Sequence, residues 1–127
     1  MNKKHKAQFD LINNSLWLLI KNKIKDDSEY KNAMSEILKL YIRYDEKEKF
    51  TDEWWENVIS DFGKNIDKYK GTRIESFIGD FGLSLCDYWE FESKNKSTNL
   101  DFYKYVSKAF VNEWEKISEK ENKEKTT

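Results

Sequence analysis

Two pairs of carboxylates are the residues in this sequence whose types and spacing come closest to supporting chemistry. Glu53 and Glu56 are three residues apart, and so are Asp87 and Glu90. Residues three apart on a helix project from the same side, and carboxylate oxygens are ligands that Mg²⁺ prefers in proteins. One hypothesis is therefore a magnesium-dependent phosphohydrolase that uses these four side chains.

The first pair is similar to one element of the all-helical nucleotide pyrophosphohydrolases. Those enzymes hold magnesium with a Glu-x-x-Glu pair and a downstream Glu-x-x-Asp pair on a facing helix. No glutamate in this chain has an aspartate three residues later, and Asp87-x-x-Glu90 is only a reversed approximation. The simpler interpretation of Glu53 and Glu56 is that they complement the positive end of a helix dipole.

Other catalytic or metal sites have less support. His5 is the single histidine and lies in a lysine-rich segment, which excludes Glu-x-x-His di-iron bundles and most zinc sites. Cys86 is the single cysteine, and its place on an apolar helix is typical of a packed small thiol. The sequence contains no Gly-Lys-Ser/Thr and no GxGxxG phosphate loop. We expect no enzyme activity, no cofactor and no bound metal.

The elements that must position these residues are predicted to be helices. The 127 residues include no proline and only 4 glycines, which disfavours sandwiches and barrels. Apolar residues recur at three- and four-residue steps, as in amphipathic helices. The sequence predicts an all-α single domain, a compact bundle of about five helices. They cover residues 5–25, 28–46, a third opened by Thr51, a central helix at 73–92, and a fifth opened by Thr98.

The first and last segments carry weaker patterns. The first helix is expected to bury Leu16, Leu19 and Ile20, with 13–15 as a weak spot that could bend it. Residues 1–6 and 118–127 offer little to bury and are expected to fray.

The central helix has two features of its own. Thr72 and Glu75 have the spacing of a capping box at its start, after Gly71, which suits the end of the preceding helix. Gly79 and Gly82 would each cost about 1 kcal/mol relative to alanine inside a helix. The sequence therefore predicts that a neighbouring backbone or large aromatic ring approaches them closely.

Charge is distributed unevenly along the chain. Residues 45–92 hold 6 Lys/Arg against 13 Asp/Glu, giving −7, although the whole chain has a formal net charge of −1. Asp80, Leu83, Asp87 and Glu90 follow 3-4-3 spacing and fall on the outer side of the central helix. This stripe is either a solvated face or a surface that recognises a basic partner.

Trp54 and Trp55 cannot both face the same narrow seam, because neighbouring residues on a helix point about 100° apart. Trp55 aligns with Ile59 and Phe62 and is expected in the core. Trp54 is then expected on the flank near Asp61, partly exposed, as in tryptophan anchors of protein interfaces.

Direct nucleic-acid binding is disfavoured, because the chain contains only two arginines, Arg43 and Arg73, and phosphate and guanine contacts rely on basic side chains. The apolar run Leu16–Ile20 is too short for a signal peptide core or a membrane span.

A single cysteine fits a reducing compartment, so we expect a cytoplasmic protein. Abundant lysine, asparagine and isoleucine indicate AT-rich coding, typical of a low-GC bacterium, its phages or plasmids.

These observations favour a non-enzymatic protein that binds a basic protein partner, such as a nucleic-acid-binding complex. The most concrete form is an anti-CRISPR-like or other anti-defence inhibitor from a phage or mobile element. The alternatives are the magnesium phosphohydrolase and a self-associating regulatory or immunity module, with a homodimer possible. The predicted partner-binding residues are Glu53, Trp54, Glu56, Asp61, Asp80, Leu83, Asp87 and Glu90.

Overall fold

The computed structural model describes residues 1–126, with side chains described through residue 123, and these residues form five helices and no strand. This confirms the predicted all-α fold. The helix α1 covers residues 3–21, as α-helical Lys3–Leu11 and Trp17–Lys21 joined by a π-helical turn at Ile12–Leu16. The others are α2 (Ser28–Asp45), α3 (Asp52–Asp67), α4 (Glu75–Lys94) and α5 (Asn99–Thr126).

The central position belongs to α4, as predicted, and it contacts α2, α3 and α5. It pairs antiparallel with α5, because Phe77 meets Phe110 (ring centroids 5.3 Å apart) while Tyr88 meets Phe102 (5.2 Å). The aromatic rings of these helices fill the core between them. Such pairs contribute about 0.5–1.5 kcal/mol each beyond the area they bury.

Two of the three predicted helix starts form as expected. The Thr51 hydroxyl accepts the Trp54 N–H at 3.1 Å, and Thr98 and Asp101 cap each other reciprocally. The predicted capping box at Thr72 does not form, and α4 begins at Glu75. The Thr72 hydroxyl instead donates to the carbonyl of Tyr69 at 2.6 Å, closing the turn that follows α3.

The close approach predicted for the central helix is found at one of its two glycines. A Cβ on Gly82 would lie 2.9 Å from Cδ1 of Ile66, so α3 packs directly against α4 at this point. The nearest neighbour is the aliphatic side chain of Ile66, and the predicted aromatic ring is that of Phe62, whose Cδ2 lies 3.7 Å from the same position. Gly79 has no atom within 4 Å of the position its Cβ would occupy.

The ends of the chain are more ordered than the sequence suggests. Lys3 already begins α1, because the Asn2 side chain caps it by accepting the His5 N–H at 2.8 Å. The prediction that 1–6 fray is therefore wrong from Lys3 onward. At the other end α5 continues to Thr126, and Glu121 pairs with Lys23 at 3.0 Å. Fraying of Thr127 lies outside the described residues.

The weak spot predicted at 13–15 becomes the π turn of α1. The Trp17 N–H bonds to the carbonyl of Ile12, five residues earlier. Because a π turn holds one extra residue, the residues after it rotate by about one helical position, or ~100°. Trp17 and Ile20 are therefore buried, whereas Leu19, expected in the core, is 45% exposed.

Candidate functional site

The predicted partner-binding residues lie on α3 and α4, which run antiparallel beside each other. Trp54 near the start of α3 packs against Trp89 near the end of α4, with ring centroids 4.8 Å apart. Further along α3, Ile66 reaches Gly82 of α4. The two helices therefore lie side by side.

Trp54 is not on this outer surface, and its predicted exposure is wrong. Its side chain is 4% exposed, and its Nε1 donates to the carbonyl of Tyr44 at 3.1 Å. Its partner in sequence, Trp55, is only half-buried, and Ile59 is 67% exposed. A helix with Trp54 facing inward and a helix with Trp55 facing inward both fit the helical period. Residue spacing alone therefore could not show which tryptophan is buried. In the folded chain Trp54 packs against Tyr44 and Trp89, and these contacts decide in favour of Trp54.

Asp61 already has partners within the protein. The Arg43 guanidinium of α2 pairs with its carboxylate at 3.0 Å, and the Tyr44 hydroxyl donates to the same oxygen. Asp61 therefore belongs to the seam between α2 and α3.

Four of the remaining carboxylates have no ion pair among the described residues: Glu53, Glu56, Asp80 and Asp87. The two glutamates are exposed at the start of α3, and the two aspartates are half-buried on α4. Glu90 pairs with Lys94 at 3.6 Å, but both side chains are more than half exposed. Such an exposed pair contributes little and is readily replaced.

Two exposed apolar side chains lie among these carboxylates. Leu83 on α4 is 60% exposed and follows Gly82 directly, on the side of α4 that also carries Asp87 and Glu90. Ile59 on α3 is seven residues before Ile66, and residues seven apart share nearly the same side of a helix. We use the name acidic face for the outer surface of Glu53, Glu56, Ile59, Asp80, Leu83, Asp87 and Glu90.

The acidic face does not assemble the predicted magnesium site. No group of three or more His, Cys, Asp or Glu side chains placed to hold a metal ion is found among the described residues. Glu53 and Glu56 point outward from the first two turns of α3 rather than facing a second pair across a cleft. Cys86, beside Asp87, is buried enough that burial raises the pKa of its thiol to about 12, so it stays protonated and unreactive at neutral pH.

The most elaborate polar arrangement in the structure was not predicted. Asp45, at the end of α2, has a side chain only 3% exposed. Its Oδ2 lies 2.7 Å from Nε2 of His5 and 3.1 Å from Nζ of Lys4. Its Oδ1 accepts from Nζ of Lys49 at 3.0 Å and from Nε1 of Trp89 at 2.9 Å. We call this group, together with Glu92, the Asp45 cluster.

Glu92 of α4 completes the Asp45 cluster. It pairs with Lys49 and, at 3.2 Å, with Lys4. Burial alone would raise the pKa of Asp45, but the bonds from Trp89 and His5 and the charges of the lysines lower it to about 2. Burial likewise opposes ionisation of Glu92, and the Lys49 and Lys4 ammonium groups lower its pKa.

The Asp45 cluster is built to hold helices together. Both oxygens of Asp45 are occupied by the protein's own donors. Nδ1, the other ring nitrogen of His5, has no hydrogen-bond partner among the described residues, but the His5 side chain is only 1% exposed, so a substrate does not reach it. The cluster joins α1, α2, the loop before α3, and α4. The Asp45 cluster cannot be predicted from the sequence, because its members are up to 88 residues apart. In the sequence, Asp45 is one of several charged residues in a polar connection.

The chain matches no family model, no curated protein and no solved structure. Within the part of the chain that the structure describes, none of the helices has the length and apolar character needed to cross a membrane.

Proposed function

We propose that this protein binds a basic surface on another protein through the acidic face and thereby inhibits that partner. The observation that carries the proposal is that the neighbouring helices α3 and α4 carry carboxylates with no ion pair among the described residues, together with two exposed apolar side chains, Ile59 and Leu83. Compared with the partner-binding residues predicted from the sequence, the acidic face excludes Trp54 and Asp61 and includes Ile59.

The charges on the acidic face suit a cationic partner. Glu53 and Glu56 extend from the α3 start, and Asp80 and Asp87 lie one turn to either side of Leu83. A partner that supplies lysine or arginine would find acceptors that the protein's own cations leave free. Complementary charge of this kind increases the association rate and makes it sensitive to salt.

The two apolar residues, Ile59 and Leu83, would add binding free energy through burial of apolar surface. Residues that carry most of the binding energy at interfaces are usually buried near the centre, within a polar rim. Covering Ile59 and Leu83 would remove two largely exposed aliphatic side chains from water, each contributing up to about 1.5–3 kcal/mol if fully buried. The acidic residues around them would then form the rim.

The negative charge of the acidic face also disfavours self-association through this face. A dimer that joined two copies through this face would place like charges opposite each other, which costs free energy. A basic surface that normally receives nucleic acid fits better, because carboxylates on a helical protein can occupy phosphate positions. On this reasoning the protein is an inhibitor of a nucleic-acid-binding complex in the cytoplasm, with anti-defence inhibition for a phage or mobile element as the concrete form.

The test is affinity capture from bacterial lysate with the wild-type protein and with an Asp80→Lys, Leu83→Lys, Asp87→Lys triple variant. We expect the wild-type protein to retain a basic partner at low salt, to lose it as salt is raised, and to release it to a competing oligonucleotide. The triple variant should not retain it, because it replaces two attractive charges and one apolar contact by repulsion.

The matched control places three lysines elsewhere, as Asp10→Lys, Glu115→Lys and Glu119→Lys on exposed positions of α1 and α5. This control changes the net charge by nearly the same amount and should retain the partner. Equal capture by the two variants would contradict the proposal, since the partner would then be sensing overall charge or another surface.

A further inference from the structure

A groove between α1 and α2 shares no residue with the acidic face. Its volume is about 390 Å³, which falls within the range of roughly 300–1,000 Å³ typical of small-molecule sites. Its walls are mainly aliphatic, aromatic and thioether side chains, three from each helix. They are Phe9, Ile12 and Trp17 of α1, and Met34, Leu38 and Ile42 of α2.

The wall from α2 has two parallel rows. Met34, Leu38 and Ile42 are four residues apart and form an apolar row. Beside it, Lys31, Ser35 and Lys39 repeat the same spacing and line the same groove. Eight residues of helix correspond to about 12 Å, so the groove is elongated, with an apolar interior and a polar edge along its length.

The polar edge carries positive charge that the protein only partly compensates. Lys31 pairs with Asp27 at 3.1 Å, but its side chain is 58% exposed, so the pair is weak. Lys39 is exposed and has no ion pair among the described residues. An anionic group at this edge would therefore gain a cationic partner without displacing a strong one.

The π turn shapes the opposite wall. Because the Trp17 N–H bonds to the carbonyl of Ile12, the helix is rephased and Ile12 and Trp17 line the groove together. Asn13, within the same turn, also lines it. Single π turns inside α-helices occur frequently at functional sites.

We propose that this groove binds a free fatty carboxylate, with its unbranched chain along the apolar row and its carboxylate at Lys39. The charge on one edge and the apolar interior together select an amphipathic anion over a neutral apolar molecule or a cationic one. The elongated shape fits a linear chain, and the flexible thioether of Met34 allows the wall to adapt to it.

The probe is decanoate, titrated below its micellar concentration and followed by calorimetry. We expect saturable 1:1 binding that weakens about tenfold in Lys39→Glu, because the substitution replaces attraction by repulsion at the carboxylate. Ser35→Trp should abolish binding, since Ser35 is exposed at the groove and the indole would fill it without disturbing the core. The control Lys104→Glu, on an exposed position of α5, should bind as the wild-type protein does.

Three results would overturn the assignment. One is the lack of saturable decanoate binding by the wild-type protein. Another is equal affinity for decanoate and decylamine, which would deny the lysines a role. The third is a dimer, detected by light scattering, that Ser35→Trp converts to monomer while decanoate has no effect, which would assign the groove to a second copy of the chain. None of these results depends on the acidic face.

Discussion

Nε2 of His5 lies 2.7 Å from Oδ2 of Asp45, and this contact joins the first helix of the chain to the end of the second, 40 residues later. Both side chains are almost fully buried. A contact of this kind between a histidine and an aspartate in an enzyme would orient a general base. In this protein Lys4, Lys49 and Trp89 engage the same carboxylate, and the pair instead anchors α1 to the bundle.

Asp45→Asn should lower the free energy of unfolding by about 3 kcal/mol, since removing one partner of a buried ion pair leaves the others uncompensated. The measurement is urea denaturation of the variant and wild type at neutral pH. Asp10→Asn, an exposed position on α1, is the control and should change stability by less than about 0.5 kcal/mol. A loss equal to that of the control would mean that the cluster contributes no net stability.

Stability should also depend on pH through the same carboxylate. The pKa of Asp45 is lowered from 3.8 to about 2 in the folded protein. Its contribution is therefore fully present above pH 4 and is lost as pH falls toward 2, by about 2 kcal/mol. Urea midpoints at pH 5, 4, 3 and 2 should show a smaller decline for Asp45→Asn than for wild type, and parallel curves would refute this account.

Glu113→Gln should stabilise the protein at neutral pH by about 1 kcal/mol. Glu113 on α5 is buried, its Oε2 has no hydrogen-bond partner among the described residues, and burying an incompletely paired charge is costly. Burial raises its pKa above the ordinary 4.5 and Asp80 adds to this, whereas Lys116 and a hydrogen bond from Tyr30 lower it.

When folding raises the pKa of a carboxyl group, the group's contribution to stability is fully present below its ordinary pKa. That contribution is lost as the pH rises through the pKa of the group in the folded protein. The gain from Glu113→Gln should therefore be seen at pH 7 and be small at pH 4, measured by thermal unfolding at both. Glu115→Gln on the exposed side of α5 should show no such difference. Destabilisation by Glu113→Gln at pH 7 would show that the carboxylate has a partner that compensates its charge.

The two glycines of α4 should respond differently to alanine. Gly79→Ala should raise the free energy of unfolding by about 1 kcal/mol, because its Cβ would enter open space and alanine favours the helix. Gly82→Ala should gain less or lose stability, since Cδ1 of Ile66 lies 2.9 Å from the new carbon and has to move. Chemical denaturation of both variants decides this, and equal gains would mean that Ile66 shifts freely.

Periodicity was sufficient to predict the fold class and the central helix, but not which side of each helix faces inward. Along α3 the series through Trp54 and the series through Trp55 fit a helix equally well, and contacts with α2 decide between them. In α1 the hydrogen bond from Trp17 to Ile12 shifts the pattern, so Leu19 was assigned to the core in error.

Contacts between residues far apart in the sequence could not be predicted from periodicity. Asp45 appears in the sequence as one of many charges, and only the folded chain brings Lys4, Lys49 and Glu92 around it. The 3-4-3 stripe of α4 rests on local spacing, and the structure leaves Leu83 and Glu90 exposed and Asp80 and Asp87 half-buried. Neutralisation of Asp61 by Arg43 depends on how α2 and α3 pack, which the sequence alone does not define.

The Asp45 cluster also constrains the order in which a newly made chain can mature. Its members come from the first five residues, from 45–49 and from 89–92. Asp45 can therefore pair with Lys4, His5 and Lys49 early, but a ribosome must release most of the chain before Glu92 and Trp89 can join them. Until α4 emerges, Lys4 and Lys49 lack the Glu92 carboxylate and Asp45 lacks the Trp89 N–H, so the cluster is completed late in synthesis.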